Sequence, residues 1–113
     1  MEGNQHDFER IFELSGELLC VIVGGAFARV SAGWHTQLGW TKDELVGRRC
    51  IELLHPEDLD RTLSESVPAT HDGELVAFEN RYLHRDGSYR WLSWNARSFD
   101  DGAIYDQILA AKK

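Results

Sequence analysis

The sequence predicts an α+β domain, an antiparallel sheet with short helices gathered on one face. Three observations predict it. Strand-like segments sit at both ends of the chain, in ELLCVIVGGAFARVS and in FENRYLHRDGSYRWLSWNA. The helix-start signals cluster between them, in TKDELVG and LLHPEDLDRT. Strands and helices therefore come in blocks rather than in βαβ alternation, the pattern of a sheet with segregated helices.

The elements follow in order. Asp7 to Leu14 carries Phe8, Ile11 and Phe12 at helical spacing, an amphipathic helix. Leu18 to Val23 reads as a strand, Gly24-Gly25 as a turn, and the segment through Phe27 to Val30 as a second strand. Ser31 is placed to cap a short helix holding Trp34 and Leu38. Thr41 with Glu44 makes a capping box for the next helix, and Gly47 stops it. Pro56 suits a first helical position, with Glu57 and Asp58 in the first turn and Leu59, Leu63 and Val67 as the apolar stripe. PATHDGE is a loop, the aromatic hairpin follows, and an Asp100-Asp101-Gly102 turn leads to a last strand, AIYDQIL.

The hairpin loop decides which side chains face inward. A two-residue Asp86-Gly87 turn sets Tyr82 opposite Trp91 and Trp94 opposite Glu79. A three-residue loop, Arg85-Asp86-Gly87 with a left-handed Gly87, shifts the parity. Phe78, Asn80 and Tyr82 then share a face with Leu92, Trp94 and Ala96. Glu79, Arg81, Leu83, Trp91, Ser93, Asn95 and Arg97 take the other. The second arrangement segregates apolar from polar better, so the longer loop is expected.

At 113 residues the chain makes one domain, which buries roughly two-thirds of its unfolded surface. A net charge of −7 with no basic run argues against nucleic acid or an acidic membrane as partner. The longest strongly apolar run, Leu18 to Val23, is too short to span a bilayer, and an acidic helix-like stretch precedes it, unlike a secretory signal. Cys20 and Cys50 read as reduced, buried thiols of a cytoplasmic protein.

Taken together, FARVSAGWHTQLGWTKDELVGR, LLHPEDLDRT and FENRYLHRDGSYRWLSW resemble the PAS sensory domain family over nearly the whole chain. The resemblance implies a PAS fold, with a five-stranded antiparallel sheet ordered 2-1-5-4-3 and helices over one face around a small pocket. It divides the chain into a helical cap, 1–16, and the PAS domain proper, 17–113. It implies a regulatory module that senses a ligand, cofactor or partner and acts on an output domain, such as a histidine kinase or diguanylate cyclase. Ser31 stands where an Asn is common in the family, and both residues cap a helix. The D-I-T-type motif that usually ends the last strand is replaced by ILAAKK. The link to an output is therefore missing or unusual, as in a fragment or a free-standing module.

Two readings of the inner face stay open. Phe78, Asn80, Tyr82, Leu92 and Trp94 from the sheet, with Trp34, Leu38, Ile51 and Leu54 from the helices, line a ligand pocket in one. Asn80 or Ser98 would then orient the ligand. In the other, the same aromatics fill the core and the domain works by dimerisation and transmission. The outer face, with Leu83 and Trp91, together with Phe8, Ile11 and Phe12 of the first helix, is the expected homodimer surface.

No cofactor is named by the residues. His55 precedes Pro56 where the family commonly has it, and the helix after it holds no His for haem. His6, His35, His71 and His84 show no zinc spacing. Cys50 falls where light-sensing LOV members of the family carry their photoactive cysteine. Arg49 replaces their Asn, however, and Tyr82 and Leu92 stand where they place amides, so Cys50 reads as a small buried apolar residue. No nucleophile elbow, phosphate loop or paired-acid context occurs, so no catalytic residue is assigned. Asp58 and Asp60 are expected on the solvated side of their helix.

Overall fold

Gly24 and Gly25 reverse the chain in two residues, both with positive φ (61° and 82°), the turn geometry that matches strand twist. They join β1 (Leu18–Val23) to β2 (Ala26–Val30). The structure, a computed structural model, describes residues 5–66, 74–98 and 103–110. Val67, His71 and the Asp100-Asp101-Gly102 turn lie outside the described residues, as do the side chains of His6, Phe8 and Ser98. The register of β1 and β2 slips between Val21 and Ile22, leaving Ala28 as an extra residue on β2. That bulge turns both Phe27 and Val30, three positions apart, into the core.

β3 (Glu74–Leu83) and β4 (Tyr89–Ser98) form the long hairpin. β5 (Ala103–Ala110) lies between β1 and β4, so the antiparallel sheet runs β2-β1-β5-β4-β3. The hairpin closes through the three residues Arg85-Asp86-Gly87: the Gly87 N–H donates to the His84 carbonyl at 2.9 Å, and Gly87 has φ 95°. Phe78 therefore pairs with Trp94, Asn80 with Leu92 and Arg81 with Trp91, the longer-loop register. Asn80, Tyr82, Leu92, Trp94 and Ala96 are buried. A feature the alternation does not reveal is a bulge further along β3, where Val76 and Ala77 oppose Asn95. Ala77 sits there at φ 54°, its N–H donating to Asn95 Oδ1 at 2.9 Å.

The helical face starts with a correction. Ser31 does not cap α2 (Gly33–Leu38), whose N-cap is Ala32 without a side-chain bond. Its hydroxyl instead donates to the Glu17 carbonyl (2.6 Å) and accepts from the Leu19 N–H (2.9 Å), pinning the start of β1. The chain passes so close there that a Cβ on Gly33 would lie 2.2 Å from the Glu17 carbonyl oxygen. Gly39, at φ 82°, ends α2. The capping box of α3 (Lys42–Leu45) is complete, Thr41 and Glu44 each bonding the other's backbone N–H.

A 3₁₀ turn follows at Cys50–Leu53, with a second at Pro56–Asp58 that continues into α4 (Leu59–Arg61) and a π-helical turn, Thr62–Ser66. Pro56 takes the first position, and His55 Nδ1 accepts from the Glu57 N–H. These segments also cover both sheet edges, whose unpaired backbone groups otherwise invite association. On β2, the Phe27 N–H donates to the Arg48 carbonyl and the Gly47 N–H to the Phe27 carbonyl. On β3, the His55 N–H donates to the Arg81 carbonyl. The Arg81 N–H donates to Asp58 Oδ2, and Arg61 Nη1 to the Glu79 carbonyl.

Burial holds little of α1 (Gln5–Leu14): Ile11 is 69% exposed, Leu14 73%, and Phe12 half-buried. Charge and backbone hold it instead. Glu9 and Glu13 pair with Arg29, Glu13 also with Lys42, and the Arg29 guanidinium lies over the Phe12 ring. The Glu13 and Ser15 carbonyls accept from the Ala32 and Gly33 N–H groups. Among the described residues, no helix is long and apolar enough to cross a membrane.

Candidate functional site

The site is the space between the sheet's inner face and the helices. Trp34 is central because α2 starts where β2 ends and drops its first bulky side chain onto the sheet. Its ring is fully buried, edge-on to Phe27 (centroids 5.1 Å apart) and near Tyr82 (6.2 Å) and Trp94 (6.3 Å). Tyr82 and Trp94 approach each other to 4.9 Å. These are contact separations for aromatic rings, so the rings largely occupy the space themselves.

A polar chain runs through this apolar cluster. Trp94 Nε1 donates to Asn80 Oδ1 at 2.6 Å, and Asn80 Nδ2 donates to Thr62 Oγ1, in the π-helical turn, at 3.2 Å. Trp34 Nε1 donates to the Leu19 carbonyl at 3.0 Å. Among the described residues, no buried side-chain nitrogen or oxygen lacks a partner. Asn80 is therefore already engaged on both ends of its amide.

Seven of the nine residues expected to line this space do converge there: Trp34, Leu38, Leu54, Asn80, Tyr82, Leu92 and Trp94 are all buried. Two do not. Ile51 is 39% exposed, because the 3₁₀ turn sends Cys50 and Leu53 inward and Ile51 out. Phe78 lies at the margin, half-buried with the Arg61 guanidinium over its ring (4.9 Å). Cys50 is buried and unbonded to Cys20.

The outer-face expectations also divide. Trp91 is half-buried on the outer side, with the Arg81 guanidinium 4.9 Å from its ring centroid. Leu83 is not an outer-face residue but packs against the core. Trp40 Nε1 donates to the Leu83 carbonyl and the Arg85 N–H to the Leu38 carbonyl, drawing that end of the strand onto the helices.

Asp58 corrects the expectation most sharply. Placed on the solvated side by its helix pattern, it is 3% exposed. Its carboxylate accepts from the Arg81 N–H (2.8 Å), Nε (3.0 Å) and Nη2 (2.7 Å), with Arg61 Nη2 at 3.6 Å. The Arg81 side chain, more than burial can oppose, holds the Asp58 carboxyl below the usual carboxylate range. An i, i+3 reading of one helix could not find this, because the partner is 23 positions away on β3. At the hairpin tip, the Ser88 hydroxyl and N–H lower Asp86 to about 2 and stiffen the turn. Among the described residues, no cluster of three or more His, Cys, Asp or Glu could hold a metal ion.

Comparison with known proteins gives the same architecture. The chain superposes on the PAS domain of a protein from Colwellia psychrerythraea with a TM-score of 0.82 at 19% identity, covering 95% of this chain and 96% of that one. It superposes on a domain of a sensory box sensor histidine kinase/response regulator from Geobacter sulfurreducens with a TM-score of 0.75 at 19% identity, covering 91% and 90%. In sequence it is 40% identical over 63 residues to a neuronal PAS domain-containing protein 4-like from Danio rerio, which is 52% of this chain but 9% of that protein. The model of the PAS fold family matches residues 27–107, from the second strand into the last. The chain belongs to the PAS family.

Proposed function

We propose that this PAS domain is the sensory and regulatory module of a cytoplasmic signal-transduction protein. It would work without catalysis, through a homodimer and an attached output domain of histidine kinase or diguanylate cyclase type. The observation that carries the transmission part is the packed interior. Trp34, Tyr82 and Trp94 are in mutual contact, and both ends of the Asn80 amide are engaged within the protein. A solid core passes displacement from one surface to another without a chamber to fill, since close-packed interiors transmit strain. Ile11, 69% exposed on α1, supports association, because a large exposed aliphatic beside Phe12 favours a covering surface.

Ligand sensing in the same space is the second reading, and the Trp94–Asn80–Thr62 chain favours it. A small hydrogen-bonding molecule could replace the 3.2 Å Asn80–Thr62 contact and displace the π-helical turn. Native mass spectrometry of protein purified from its host, beside a denatured control, separates the two. A retained molecule supports the chamber, and its absence the packed core. Sedimentation equilibrium of the wild type against Ile11→Glu tests the dimer. An unchanged oligomeric state would reject α1 as its surface.

A further inference from the structure

We propose that the groove between α1 and the helical face binds a small carboxylic acid with an apolar body, and that such a ligand clamps α1 to the domain. The groove has a volume of about 430 Å³, the size of small-molecule sites in general. It lies outside the aromatic interior and does not rest on the dimer. Its apolar surface comes from Leu14 of α1, Val30 of β2 and Trp40, and its polar rim from Glu13, His35 and Lys42. Leu14 is 73% exposed, so an apolar ligand body would remove wetted aliphatic surface there. Trp40 is 7% exposed, donates its indole N–H to the Leu83 carbonyl and has the Arg48 and Arg85 guanidinium groups 5.1 and 5.5 Å from its ring centroid. It therefore offers a ligand only the ring carbons these leave uncovered, and Leu14 supplies most of the apolar contact.

The charges select the headgroup. Glu13 is shared by two cations, Arg29 and Lys42, each at 3.6 Å, beyond hydrogen-bond distance. If Lys42 turns to a ligand carboxylate, Glu13 keeps Arg29. The Lys42 side chain is 61% exposed and free to make that turn. A ligand ammonium would instead compete with both cations for Glu13. The groove therefore favours an anion on an apolar body over a cation or a bare anion.

The ligand would touch α1 through Leu14 and the rest of the domain through Val30, Trp40 and Lys42. Binding would then strengthen the docking that the Ala32 and Gly33 N–H groups make to the Glu13 and Ser15 carbonyls. Anything that binds only the docked form shifts the helix toward it.

Titration of the full chain with phenylacetate, followed by ¹H–¹⁵N NMR, tests this. The expected result is saturable shifts at the Trp40 indole and the Ala32 and His35 amides. Hydrogen exchange at Ala32 and Gly33 should slow by severalfold at saturation. Phenethylamine, and acetate at matched ionic strength, should bind at least tenfold more weakly. Lys42→Met and Leu14→Asp, both at exposed positions, should each weaken phenylacetate at least fivefold while the amide signals of Gly87 and Ser88 stay in place. Equal binding of acid and amine, binding unaffected by either variant, shifts centred on the Asn80 and Trp94 side chains, or no saturation would each overturn the proposal.

Discussion

Replacing Trp94 by Phe tests the polar chain through the core. Indole-to-phenyl exchange keeps most of the ring that meets Trp34 and Tyr82 but deletes the Nε1–H that reaches Asn80 Oδ1 at 2.6 Å. Asn80 is 2% exposed, so its oxygen cannot recover the bond from bulk water. Leaving a buried acceptor unpaired costs about 1–3 kcal/mol. Asn80→Leu should cost a similar amount, about 1–3 kcal/mol, by orphaning the indole N–H instead. Carrying both changes together removes donor and acceptor at once. The double variant should therefore be more stable than the sum of the single losses by about 1 kcal/mol or more. Urea unfolding followed by far-UV circular dichroism measures all three, avoiding the fluorescence of the residue being changed. Additivity within about 0.3 kcal/mol would refute the coupling. Equal losses for Trp94→Ala and Trp91→Ala in the monomer would refute the assignment of inner and outer faces. Truncating a core Trp costs about 3–5 kcal/mol and a half-buried one much less.

Further expectations follow from individual contacts. Asp58→Asn should destabilise the domain by about 2–3 kcal/mol, because it weakens a buried charge-assisted anchor for Arg81. The folded carboxyl of Asp58 titrates below its ordinary 3.8, so its contribution is full above that value and lost as pH falls through the lower folded pKa. The wild type minus Asp58→Asn difference in urea midpoint should accordingly shrink on acidification, and a constant difference would contradict it. Gly33→Ala should lower the thermal midpoint severely, since its Cβ meets backbone at 2.2 Å; a silent change would contradict the close approach. Ala77→Gly should instead stabilise by about 0.5–1 kcal/mol, relieving φ 54° in the bulge, and a loss of stability would contradict the strain. The purified protein should take up no flavin and show no light-reversible bleaching in its visible spectrum, because Tyr82 and Leu92 offer no amides to a flavin ring. Cys50→Ala should change stability only modestly, as measured by the same urea titration.

Local chemistry was legible wherever partners are near in sequence. The Gly24-Gly25 turn, the Thr41–Glu44 capping box, Pro56 at a helix start and the Arg85-Asp86-Gly87 loop all depend on backbone preferences within a few residues. From the loop alone the parity of Asn80, Tyr82, Leu92 and Trp94 follows, since one residue more or less flips every side chain across the sheet. Where the apolar positions are regular, the inner face could be read as well. What remained hidden depends on contacts between distant segments. Ser31 looks like a cap but serves the start of β1, because the chain crosses there at the distance only Gly33 permits. Asp58 looks solvated from its own helix, yet Arg81 folds in from a strand 23 positions away. Ile51 leaves the interior because a 3₁₀ turn has a different period from an α-helix. Whether seven converging side chains enclose a chamber or fill one depends on ring separations of 5–6 Å, which are set by how helix and sheet pack. Sequence determined the inward parity of the sheet residues Asn80, Tyr82, Leu92 and Trp94. Only the tertiary structure decided which helical side chains meet them and at what distance, because spacing across a core is a property of packing and not of any local stretch of chain.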